Sequence, residues 1–214
     1  MATTAGSGAM TLKLYFTPGR SWLPRWLLGE MGEPFELVTL DIQKGEQTAP
    51  AYLAVNPLGK LPALDVDGEI ITETAAVCLY LADLRPEQGL AIPHGARGRG
   101  RYLSLMIHAS TALEPAIEDV ILKRTSDRMM VGWNPIKDEL AFAQRQLGDG
   151  PYLFGDRFTA ADVMMGGVLV WASQFPDVDL SPALRAYVER LMARPPLAEL
   201  FDEARAALSA AQAG

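Results

Sequence analysis

The chain has 214 residues, is 49% hydrophobic, and carries 26 acidic against 19 basic side chains for a net charge of −7. With no basic stripe to displace counterions and no run near the roughly 18 apolar residues of a membrane span, neither nucleic acid nor membrane is expected as a partner. The single cysteine, Cys78, excludes an internal disulfide or a CxxC pair, fits a reducing cytoplasm, and reads as a small core residue.

Residues 1–10 are small and polar, without a basic start or an apolar run, and read as a flexible tail rather than a signal peptide, with Met10 as an alternative start. Residues 11–85 alternate strand and helix. Leu12 to Phe16 is a short apolar strand, Thr17-Pro18-Gly19-Arg20 a turn, and Ser21 to Met31 a helix stopped by Gly32. Phe35 to Leu40 is a second strand, followed by a polar loop and a short helix around Ala51 to Val55. Pro62 to Val66 and Glu69 to Ile71 form a hairpin across Asp67-Gly68, and Thr74 to Leu84 is a helix. The order βαββα after an initial βα describes a small α/β domain.

Residues 86–100 are rich in proline and glycine and read as a linker, in which Arg97 and Arg99, with Arg101 beyond, form a short solvated basic cluster. Residues 101–214 read as all helix, with segments near 101–128, 135–147, 160–174, 182–193 and 197–211, the first kinked at Pro115. Thr159 to Asp162 is a variant capping box, with Thr159 accepting from the Asp162 amide and the Asp162 carboxylate accepting from the Thr159 amide. Its role is structural.

The stretch Leu58 to Leu64 combines a glycine turn with a proline at a strand start, and Glu73-Thr74 puts an acid and a hydroxyl at a helix start. A cis Pro62 would turn the amide and carbonyl of Leu61 outward, where an extended ligand can pair with them as a further strand would. Glu73 can hold an ammonium group, while the hydroxyl and free amide of Thr74 can hold a carboxylate. One cation pocket beside one anion pocket suits the γ-glutamyl end of glutathione.

From Leu12 to about Leu200 the chain resembles a soluble glutathione S-transferase of bacterial type. The matching motifs are Leu12-Lys13-Leu14-Tyr15-Phe16, Arg25-Trp26-Leu27-Leu28-Gly29-Glu30-Met31-Gly32, Asn56-Pro57-Leu58-Gly59-Lys60-Leu61-Pro62, Ile71-Thr72-Glu73-Thr74 and Phe158-Thr159-Ala160-Ala161-Asp162. The resemblance implies a thioredoxin-like domain followed by an all-helical domain, glutathione as co-substrate without a metal, a homodimer, and detoxifying conjugation of a small apolar electrophile. It lays Lys60, Leu61, Pro62, Glu73 and Thr74 along the glutathione backbone. It puts the electrophile between the domains, where Trp22 and Met106 are candidate neighbours.

Only a thiolate attacks well, and a thiol of pKa about 8.5 needs about 2.7 kcal/mol of preferential stabilisation to drop two units. A hydrogen bond from a hydroxyl supplies about 1.5–3 kcal/mol and a helix N-terminus about 0.3–1, so the two together suffice. Ser21, in the first helix turn, and Thr17, at the end of the first strand, are the candidate donors; Tyr15 reads as inward-facing. His108 resembles a histidine that approaches the sulfur in beta-type bacterial relatives, and otherwise reads as a helix histidine with a structural hydrogen bond. The alternative functions are a glutathione-dependent isomerase, dehalogenase or peroxidase, or a non-catalytic glutathione-binding protein. A glutaredoxin-like oxidoreductase would need a cysteine where Ser21 stands.

Overall fold

The computed structural model describes residues 10–19 and 21–213, so the expected tail, Met10 apart, lies outside the described residues. Strand β1 (Leu12–Phe16) alternates, and its odd members Leu12, Leu14 and Phe16 are buried. Helix α1 (Trp22–Met31) returns the chain to β2 (Glu36–Thr39), which lies parallel to β1 with Leu14 opposite Leu37. Gly32 ends α1 at φ 65°, and its amide donates to the carbonyls of Leu28 and Gly29. After the single turn α2 (Pro50–Leu53), strands β3 (Ala63–Val66) and β4 (Glu69–Thr72) form the expected hairpin. Its two-residue turn carries Asp67 at φ 51° and Gly68 at φ 94°, the positive angles that match the twist of the flanking strands. The sheet order is β2-β1-β3-β4, and α3 (Thr74–Leu84) packs beside α1. This is the thioredoxin-like half.

The rest is helical: α4 (Arg99–His108), α5 (Glu114–Ile121), α6 (Ile136–Leu147), α7 (Gly167–Ala172), α8 (Pro182–Met192) and α9 (Pro195–Ala213). The single helix expected over 101–128 is instead two, α4 and α5, joined by a π-helical turn at Ala109–Leu113 and ending at Ile121. Pro115 has no N–H for the carbonyl four residues back and its ring crowds that carbonyl, and the ladder shifts register just ahead of it. A second π turn, Asp162–Gly166, precedes α7 and packs against the first. No helix among the described residues is long and apolar enough to cross a membrane.

The proline- and glycine-rich stretch before α4 is anchored. Leu90, Ala91 and Ile92 are buried, Arg157 donates to the carbonyls of Gly89 (2.6 Å) and Ala91, and the Ala160 amide donates to Leu90 O at 2.8 Å. Glu30 of α1 ties the halves further. Its carboxylate accepts two bonds of 2.6 Å from Arg194 and one of 2.8 Å from the Trp26 indole, while the Arg194 guanidinium lies 3.7 Å over the Phe158 ring. Such forked, half-buried pairs exceed an exposed ion pair in strength and in directional demand. Arg25 pairs with Glu203 of α9 nearby.

Asp162 is fully buried and gathers four donors: the amides of Leu153 and Thr159 (both 2.8 Å), the Tyr187 hydroxyl (2.9 Å) and the Thr159 hydroxyl (3.0 Å). The Thr159 side chain therefore donates to Asp162 rather than accepting from its amide, which instead bonds the Thr159 carbonyl at 2.9 Å. Burial pushes the Asp162 carboxyl pKa up and the four donors pull against that shift. Removing the carboxylate strands buried donors on three elements. Asp162→Ala is expected to lower the unfolding free energy by about 3–5 kcal/mol and Thr159→Ala by about 1, both measured by urea denaturation.

Candidate functional site

Strand register brings three loops to one end of the sheet. Tyr15 lies opposite Ala63, and Ala63 opposite Thr72. Within two residues of these lie the β1–α1 turn, the Leu61–Pro62 peptide and Glu73. The Leu61–Pro62 bond is cis. Among the described residues, no turn or loop hydrogen bond engages the Leu61 amide or carbonyl.

The preceding turn is held from below. The Lys60 carbonyl accepts from the Tyr52 hydroxyl at 2.6 Å and the Asn56 side-chain amide at 2.8 Å, and Asn56 Oδ1 accepts from the Leu58 amide at 3.1 Å. Burial pushes the Tyr52 hydroxyl up to about 12, which keeps it a proton donor. Gly59 sits at φ 60°, where a Cβ would stand 2.9 Å from the Gln47 carbonyl, so any side chain there would displace the turn. The Lys60 side chain itself is exposed. Pro62 is buried and Leu61 half-buried.

Glu73 precedes α3 at φ 69°, a left-handed angle that costs a non-glycine residue about 1–3 kcal/mol. Its side chain is exposed and makes no cap bond to the helix. Thr74 opens α3, half-buried. The acid is thus held in a strained backbone without serving as the helix cap.

Ser21 stands at the start of α1, 0% exposed, and its hydroxyl does not cap the helix. Ser21 Oγ accepts from the Thr17 amide at 3.3 Å, and the Ser21 amide donates to the Thr17 carbonyl at 3.4 Å. Thr17 is 3% exposed. The two hydroxyl residues close one turn on each other.

A cleft of ≈ 140 Å³ opens beside this turn, between the halves. It is lined by Gly19, Trp22 and Leu23 of the β1–α1 region, by Thr74, by Ser110 and Glu114, and by Met164, Gly167, Val168 and Trp171. Trp22 lines this cleft, whereas Met106 is fully buried in the core and does not. His108 is also absent from the lining. Its ring turns to α6, where Nε2 lies 2.7 Å from buried Glu139 Oε2 and the ring packs 4.5 Å from Phe142. Glu139 in turn accepts from the Asn134 amide (2.9 Å) and side chain (3.1 Å). Cys78 is wholly buried and its thiol is pushed far up by burial, so it offers no nucleophile. Two larger hollows, of ≈ 210 and ≈ 470 Å³, lie in the helical half and include no residue of the sheet domain.

Sequence reasoning assigned no role to Tyr52, Asn56, Glu114, Met164 or Val168. The last two had a readable signal, since Met164, Gly167, Val168 and Trp171 recur at helical spacing directly after the capping box.

Two family models match the chain. The family model "Glutathione S-transferase, N-terminal domain" matches residues 10–83, and "Glutathione S-transferase, C-terminal domain" matches residues 114–190. The chain belongs to the glutathione S-transferase family. It is 29% identical to glutathione S-transferase GstA of Escherichia coli O157:H7, over 86% of this chain and 94% of that one. A glutathione transferase from Methylococcus capsulatus superposes with a TM-score of 0.74 at 33% identity, covering 88% of this chain and 96% of its own. A sphingomonad glutathione S-transferase solved with glutathione gives 0.71 at 32%, covering 87% and 96%.

Two substitutions separate support from recognition. Asn56→Ala removes a donor to Lys60 and an acceptor for Leu58, and is expected to cost about 1–3 kcal/mol of stability. Glu73→Gly relieves the left-handed strain and is expected to raise stability by about 1 kcal/mol while losing the carboxylate. Thermal and urea unfolding of both variants check these opposite signs.

Proposed function

We propose that the protein is a glutathione transferase that binds glutathione at the sheet end described above and conjugates it to a small apolar electrophile in the adjoining cleft. The carrying observation is the shared end of the sheet: a Leu61 backbone with no loop hydrogen bond among the described residues, an exposed Glu73 carboxylate and the first turn of α3 lie together, next to the start of α1. In this reading the Leu61 amide and carbonyl pair with the tripeptide main chain, as an added strand pairs with a sheet edge. Glu73 takes the γ-glutamyl ammonium. The Thr74 hydroxyl and amide, at the positive end of α3, take the neighbouring carboxylate. Lys60, exposed beside them, faces the glycine carboxylate. Pro62 keeps its own backbone from competing, having no N–H.

The sulfur then falls beside the Thr17–Ser21 turn. Ser21 Oγ already accepts the Thr17 amide, and among the described residues its O–H donates to no protein acceptor. A thiolate supplies that acceptor. The N-terminus of α1 adds its partial positive charge. The hydroxyl stabilises the anion once the proton has left to solvent, so no covalent enzyme intermediate arises. Ser21 is favoured over Thr17 because it adjoins the helix end. His108, engaged with Glu139, takes no part in this scheme.

Two measurements test the proposal. Calorimetry is expected to give a glutathione Kd in the micromolar-to-millimolar range for the parent and at least about tenfold weaker binding for Glu73→Gly, the loss of one charge-assisted contact. Titration of the bound thiol by its thiolate absorbance is expected to show Ser21→Ala raising its pKa by about 1–2 units. A rise with Thr17→Ala instead transfers the donor role to Thr17; no rise with either defeats the hydroxyl mechanism.

A further inference from the structure

His108 stays out of the thiolate scheme, and its own contacts give it another role. It is the last residue of α4, and the first π turn, Ala109–Leu113, begins at the next residue. A carboxylate only accepts, so His108 Nε2 donates to Glu139 Oε2 at 2.7 Å. Glu139 sits on α6 and is 1% exposed, and its other oxygen is taken by the backbone and side-chain amides of Asn134. The carboxylate is thus fixed at both oxygens: by the segment that leads into α6, and by the residue that leads into the π turn. Phe142, three residues along α6, packs on the imidazole at 4.5 Å between ring centroids.

π turns are rare and occur mostly as single turns inside α-helices, frequently at functional sites. Here the register is fixed from both ends. Pro115 has no N–H for the carbonyl four residues back, that of Thr111. The His108–Glu139 bond ties the residue before the turn to α6. Within the turn, the Ser110 and Thr111 hydroxyls both donate to the Ile107 carbonyl, at 3.2 and 3.0 Å. The turn packs against α6 and against the second π turn. One residue is worth about 100° of helical rotation, so a slip to α register would swing the later side chains by about that angle relative to His108. The side chains aimed by this turn are Ser110, within it, and Glu114, directly after it, and both line the cleft between the halves.

We infer that His108 is a positioning residue for the second substrate: clasped by Glu139, it holds the π turn that sets Ser110 and Glu114 in the cleft wall. The inference rests on the glutathione reading for the reaction itself, and it assigns no chemical class to the electrophile. His108 touches neither substrate. Its effect is confined to the helical wall of the cleft, because the Thr17–Ser21 turn, Leu61 and Glu73 belong to the sheet domain and are held by other contacts.

The test combines hydrogen exchange of the full chain, glutathione calorimetry, and steady-state kinetics with glutathione and chlorodinitrobenzene as the probe electrophile. In His108→Leu the amides of residues 109–114 are expected to exchange at least about tenfold faster than in the parent, with those of α1 unchanged. The KM for chlorodinitrobenzene is expected to rise about five- to tenfold, by more than kcat falls, while the glutathione Kd stays within about twofold. His108→Gln, whose side-chain amide can donate to the same carboxylate oxygen, is expected to restore both the exchange and the KM. If His108→Leu does not fold, its combination with Glu139→Gln, which leaves no unpaired buried carboxylate, carries the same comparison. Unchanged exchange, an unchanged electrophile KM, failure of His108→Gln to rescue, or a shift in glutathione Kd instead overturns the inference and leaves glutathione transfer standing. A parent that binds no glutathione defeats the transfer reading; faster exchange in His108→Leu then supports the clasp alone, and unchanged exchange overturns both.

Discussion

The grip on the Lys60 carbonyl is the constraint on which the site depends. A buried tyrosine hydroxyl and an asparagine amide both donate to that one oxygen, from α2 and the turn after it. This holds the chain in place just before it enters β3. The antiparallel register of β3 with both neighbours then carries the constraint sideways, to the end of β1 and to Glu73. If the Leu61 backbone faces the ligand, as proposed, precision there cannot come from its own hydrogen bonds, because those must stay open. It comes from the residues beneath. Asn56 and Tyr52 supply it here, and Gly59 supplies the room.

The second constraint is the joint between the halves. Glu30 and Arg194 meet through two parallel bonds, with Trp26 donating to the same carboxylate and Phe158 lying under the guanidinium. The geometry sets how α1 lies against the segment between α8 and α9. Because Trp22 shares α1 with Trp26 and Glu30, the joint also sets one wall of the cleft. The opposite wall hangs on Asp162, whose four donors orient the start of the helix that delivers Met164, Val168 and Trp171. The cleft is thus positioned by buried polar contacts on both sides, while its surface is apolar. Apolar packing tolerates small slips, whereas directed hydrogen bonds to a carboxylate do not.

Much of the sheet domain was legible because its signals are local. Alternation in Leu12 to Phe16, the Asp67-Gly68 turn and the Gly32 stop each depend on a few adjacent residues and their backbone preferences. The Asn56 to Pro62 motif was legible for the same reason. The helical half was harder. Helical spacing located its segments, but the break between α4 and α5 depends on how the ladder accommodates Pro115, and a kink and a π turn leave the same trace in sequence. The direction of the Thr159 hydroxyl was also misread, since its partner choice was decided by a carboxylate that Leu153 and Tyr187 orient from elsewhere.

His108 and Ser21 mark where sequence stops. Residue type puts an imidazole on α4 and a hydroxyl at the head of α1, and the motif order alone identifies the family. Which way the imidazole turns is set by Glu139 and Phe142, which lie on another helix more than thirty residues along. The left-handed backbone of Glu73 and the pairing of two distant indoles across one cleft arise likewise only when separate elements pack. Local chemistry therefore specifies the elements and the family; long-range contacts, which no short window contains, aim the side chains and shape the space between them.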